Sequence, residues 1–72
     1  MILKRRKPKW KKGYLLISES WGPGLIIDIR PEYSYVEYSL RFPEKGMDIQ
    51  LYEKEIEDFI THGTARMQKA KN

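Results

Sequence analysis

The sequence predicts an all-β domain, a small five-stranded barrel with a basic arm at each end. Two observations predict it. Between Gly13 and Phe59 the apolar residues fall at every second position in short runs, which is the period of a half-buried strand. The flanks also carry the opposite charge from the body between them. Residues 1–12 hold seven Lys/Arg and no acid, residues 13–60 hold four basic and ten acidic side chains, and residues 61–72 hold three basic residues and no acid. The segments therefore carry +7, −6 and +3 within an overall +4. This divides the chain into a basic arm (1–12), a barrel (13–60) and a basic C-terminal tail (61–72).

Each strand has its own warrant. Gly13 ends the arm, and residues 14–18 are predicted as the first strand. Residues 19–24 place two glycines around Pro23, which marks a loop because Gly supplies positive φ and Pro fixes its own. The second strand covers 25–29, with Leu25, Ile27 and Ile29 as its inward set, and residues 30–34 turn the chain. In the third strand, 35–42, Val36, Tyr38, Leu40 and Phe42 alternate against Tyr35, Glu37, Ser39 and Arg41. Residues 43–46 have the composition of a four-residue hairpin loop closed by Gly46. The fourth strand, 47–52, sets Met47, Ile49 and Leu51 against Asp48, Gln50 and Tyr52.

Beyond Tyr52 the period is ambiguous. Ile56, Phe59 and Ile60 fit a helix at i, i+3, i+4 as well as a turn followed by a short strand. The favoured reading is one helical turn at 53–56 with residues 58–60 closing the barrel, since closure removes exposed edges. The alternative is a four-stranded sheet packed by a helix over 53–62 and stopped by Gly63.

The glycine before the first strand, the glycine-rich loop, "LIIDI" at 25–29, "YVEYSLRF" at 35–42 and "IQLYEKEIEDF" at 49–59 together resemble the Src-homology-3-like (SH3-like) small barrels. That group includes tudor and KOW-type modules and small phage and bacterial barrels. The resemblance implies a five-stranded SH3-like barrel with a helical turn before its last strand. It carries no proline-peptide site, because no "ALYDY" stretch occurs.

Composition narrows the function. The chain has no cysteine, which excludes disulfides, thiolate chemistry and Cys-based zinc sites, and an intracellular (cytoplasmic) or virion-associated setting is expected. The longest apolar run, residues 14–17, is too short to span a bilayer. The single histidine, His62, has no nucleophile pattern or second ligand near it, and the acids Glu53, Glu55, Glu57 and Asp58 lack the spacing of a calcium loop and read as a solvated turn. No phosphate-binding or dinucleotide motif occurs. The expectation is a non-enzyme without metal or cofactor.

Two surfaces remain as candidates. The arm residues Lys4, Arg5, Arg6, Lys7, Lys9, Trp10, Lys11 and Lys12 combine positive charge with a ring suited to stacking on a base, and Pro8 opposes helix. The arm is expected to be extended and mobile, to contact the phosphate backbone of nucleic acid without sequence preference, and to be removable without unfolding the body. The second surface is aromatic. Trp21, Tyr33, Tyr35 and Tyr52 are expected to converge at one barrel end, either as a partner-binding cluster or with Trp21 as a plug and the tyrosines at the rim. The primary expectation is an accessory protein that binds nucleic acid, or an assembly containing it, through its arms. The alternative is a protein-interaction module docking on a larger assembly such as a polymerase, ribosome or virion.

Overall fold

The computed structural model describes residues 4–69 of the 72. The elements are β1 (Leu15–Ser18), β2 (Gly22–Pro31), β3 (Val36–Phe42), β4 (Met47–Tyr52), α1 (Glu53–Thr61) and β5 (Ala65–Gln68). The strands form one antiparallel sheet in the order β4-β3-β2-β1-β5. Five strands are present, as expected, but β4 and β5 do not pair, so the sheet does not close into a barrel.

Helix α1 is the physical reason. It runs to Thr61, well past a single turn, and it occupies the residues expected to form the closing strand, 58–60. Lying between the edges, it contacts β3, β4 and β5 and buries Ile56 in the core, so its apolar stripe covers the opening instead of strand pairing. Both helix ends are well specified. Glu55 Oε1 accepts the Tyr52 backbone N–H at 2.9 Å, and Glu53 and Glu55 place negative charge in the first turn. At the other end Gly63, at φ +76°, donates to Ile60 O at 3.1 Å while Thr64 N donates to Phe59 O at 3.0 Å, a Schellman pair. The chain is then free to run back beside β1 as β5, within the stretch read from sequence as the basic tail.

Strands β3 and β4 follow the alternation in the sequence. Val36, Tyr38, Leu40 and Phe42 are buried, as is Leu51, while Met47 and Ile49 pack against the same core. Strand β2 does not follow it. Leu25 pairs with Arg41 and Ile26 with Leu40, but Asp28 pairs with Ser39, so Ile27 is one residue more than its partner strand supplies. This β-bulge reverses the parity. Ile26 is therefore buried and Leu25 is 38 % exposed; Ile29, beyond the bulge, again packs against the core, and Ile27 is only half-buried.

The core joins Leu16, Ile26, Val36, Tyr38, Leu40, Phe42 and Leu51 from the sheet to Ile56 from α1. Gly24 is buried directly beneath the Phe42 ring, which a Cβ at that position would overlap. Glycine is therefore needed in this strand for close approach rather than for an unusual φ. The open edges carry charged or polar residues, Asp48 and Gln50 on β4 and Arg66 on β5, which discourages pairing with further strands.

Candidate functional site

The basic arm lies along the body and is tied to it at several points. Gly13 N donates to Ile26 O and Ile26 N to Tyr14 O, both at 3.0 Å, which carries the β1–β2 pairing back toward the arm. At the far end Arg6 N donates to Glu32 O at 2.8 Å. In the middle, Lys9 N donates to Glu53 Oε2 at 3.1 Å and to the Tyr38 hydroxyl at 3.2 Å, and Trp10 N reaches the same hydroxyl at 3.4 Å. The Trp10 ring packs on Tyr38 with centroids 5.5 Å apart and planes tilted by 56°. The expected free arm is thus a docked strap, and half-buried Trp10 belongs to the edge of the core. Met1, Ile2, Leu3 and Lys71 lie outside the described residues.

The anchor is a polar couple inside an apolar setting. Tyr38 is fully buried on the inward face of β3, and its hydroxyl donates to Glu53 Oε2 at 2.6 Å. Glu53, expected to be a solvated turn residue, is only 8 % exposed. Its carboxylate accepts from both the hydroxyl and the Lys9 N–H, which offsets the cost of burying it. Burial, and then the hydrogen bond to Glu53, hold the Tyr38 hydroxyl pKa well above the ordinary tyrosine value. The sign of the pH effect follows. The folded state keeps a proton that the unfolded chain releases near pH ~10, so this contribution to stability is complete below that pH and falls above it. Tyr38→Phe should cost about 1–3 kcal/mol at neutral pH, because it leaves the buried carboxylate short of a donor, and should make the alkaline loss shallower. Thermal melts of both proteins at pH 7 and pH 11 check this; equal stability and equal alkaline slopes would rule the couple out as an anchor.

The arm's cations divide into two groups. Lys9 Nζ is hydrogen-bonded to the Glu57 carboxylate, which raises its pKa, and Lys12 Nζ lies 3.7 Å from Asp28 Oδ1. Among the described residues, Lys4, Arg5, Arg6, Lys7 and Lys11 have no carboxylate oxygen within 4.0 Å, and all five are exposed. The Arg5 guanidinium carbon sits 5.9 Å from the centre of the Tyr33 ring.

The four aromatic residues do not converge. Trp21 packs edge-on against Phe42 at 5.3 Å and borders a small hollow with Leu16, Ser18, Ser20, Phe59, Thr64 and Ala65; with no closed barrel there is no barrel mouth for it to plug. Tyr35 and Tyr52 form a T-shaped pair at 5.1 Å next to the arm, and Tyr33 is held near the same end by Arg5. A groove of about 330 Å³ runs between the arm and the start of α1, bordered by Arg6, Tyr35, Tyr52, Lys54 and Glu57. Sequence reasoning missed Lys54 as part of this site, and missed that Glu53 is buried as the anchor of the arm. The signal for Glu53 was the inward Tyr38, whose hydroxyl needs a partner once it is buried.

His62 caps α1, its Nδ1 2.7 Å from Asp58 O. Among the described residues no group of three or more His, Asp or Glu is placed to hold a metal ion. Compared with family models, with curated proteins and with solved structures, the chain matches none of them.

Proposed function

We propose that this protein is a non-enzymatic nucleic-acid-binding accessory protein whose docked arm grips the phosphate backbone without reading sequence. One observation carries the reading. Five exposed cations, Lys4, Arg5, Arg6, Lys7 and Lys11, stand along a backbone pinned at Arg6, Lys9 and Gly13, and none has a carboxylate within 4.0 Å among the described residues. Pinning lowers the entropy lost when such residues engage a polyanion, and the acidic body behind them turns the binding face outward. The order of elements, four strands, a helix and a last strand returning beside β1, is the connectivity the SH3-like resemblance implied, in an open sheet where that resemblance implied a closed barrel. Among the described residues no helix is long and apolar enough to cross a membrane.

A salt titration of binding to an unstructured oligonucleotide tests the proposal. Five phosphate contacts give a log–log slope of about −3.5 for a single strand, at roughly −0.7 per contact. Glu57→Gln releases Lys9 and should steepen the slope by a further ~0.7 while raising affinity at low salt. An intact chain that binds no nucleic acid at low salt would overturn the reading. In that event the exposed tyrosines and the acidic body favour a protein partner.

A further inference from the structure

A polyphosphate lying on the arm leaves open what its bases meet. Trp10, the ring suited by sequence to stacking, is occupied by Tyr38. Three other rings stand in solvent beside the arm: Tyr33 at 56 % exposure, Tyr35 at 41 % and Tyr52 at 48 %. Leu25 is the only other large apolar residue so exposed among those described, so the exposed aromatic surface gathers at one place. Two of the unpaired arm cations, Arg5 and Arg6, are at the same place. Arg5 faces the Tyr33 ring, and Arg6 and Lys54 border the groove with Tyr35 and Tyr52.

Most of the acids nearby are engaged; Glu32, next to Tyr33, has no cation within 4.0 Å among the described residues. Glu53 accepts from Tyr38 and Lys9, Glu57 holds the Lys9 ammonium, and Glu37, which faces Tyr52 across the β3–β4 register, lies 3.9 Å from Arg30. A ligand with negative charge and flat rings is therefore matched on both counts. Duplex nucleic acid offers the charge but keeps its base faces stacked inside, whereas a single strand offers both.

Resting on the nucleic-acid reading above, we infer that the ligand is single-stranded DNA or RNA, with phosphates on the five unpaired arm cations and bases stacked on Tyr33, Tyr35 and Tyr52. The cations supply attraction common to any polyanion, and the tyrosines discriminate single strands from duplexes.

The experiment compares the full chain with its Tyr33→Leu, Tyr52→Leu and Arg6→Ala/Lys7→Ala variants, each titrated at low salt with oligothymidylate and with a duplex of equal length. Each tyrosine variant should lose about fivefold to a hundredfold in affinity for the single strand, keep its duplex affinity and keep its salt slope. The Arg6/Lys7 variant should lose affinity for both and show a shallower slope. Tyrosine variants that bind the single strand as the parent does, while the Arg6/Lys7 variant weakens both, overturn the stacking inference and leave the phosphate reading standing. Failure of the intact chain to bind either polymer overturns both. A second measurement needs no substitution. Ring-proton resonances of Tyr33, Tyr35 and Tyr52 should move upfield when oligothymidylate is added to the parent chain, and unmoved resonances under saturating oligonucleotide overturn the inference.

Discussion

Replacing Phe42 by alanine is expected to unfold the protein at room temperature. The ring is completely buried, meets Trp21 edge-on at 5.3 Å and fills the space above Gly24. Gly24, against which the ring lies, has no side chain to fill the gap. Loss of a buried Phe to Ala costs ~3–5 kcal/mol, and a staple-free domain of this size holds no more than roughly 3–5 kcal/mol in total. Circular dichroism during a thermal melt is the direct measurement. A cooperative transition near the parent's midpoint would show that the core tolerates a cavity here, against the packing described.

Removing residues 1–12 should abolish nucleic-acid binding and also destabilise what remains. The second half of this result reverses the expectation drawn from charge alone, that the body would stay folded. Deletion strips Trp10 from Tyr38 and takes one of two donors from the buried Glu53 carboxylate. The packing loss is on the order of 3 kcal/mol, with about 1 kcal/mol more for the hydrogen bond. Two narrower variants separate the effects. Trp10→Ala should melt early yet, below its melting temperature, keep the salt slope, because it changes no charge. Replacing Lys4, Arg6, Lys7 and Lys11 by glutamine should keep the melting temperature and lose the binding. A truncated chain melting at the intact temperature would mean that the strap contributes nothing to the fold.

How far the sequence could be read depended on the range of the interactions involved. Strands β3 and β4 were legible because alternation is local: Val36, Tyr38, Leu40 and Phe42 face one way through the pleat of a single strand. The β2 bulge was not legible. Leu25, Ile26, Ile27 and Ile29 are all apolar, so either parity satisfies the strand by itself, and only pairing with β3 chooses between them. The stretch from Glu53 had the helical spacing in plain view together with its Gly63 stop, yet the same residues fit a closing strand. What favours the helix is the open flank of the sheet that Ile56 fills and the strand at 65–68 that takes the place beside β1.

The candidate site shows the same division. The sequence alone determined that a block of unopposed positive charge precedes an acidic, strand-rich body, and that tyrosines crowd the turn before β3, since these depend only on which residues are neighbours in the chain. Alternation also put Tyr35 and Tyr52 on the outer face; only the tertiary structure decided that the block is docked, that Trp10 faces inward, and that Glu53 is buried. The reason is that Lys9 meets Glu53 and Glu57 across more than forty residues of chain, and a contact between such distant residues leaves no periodic trace in the sequence.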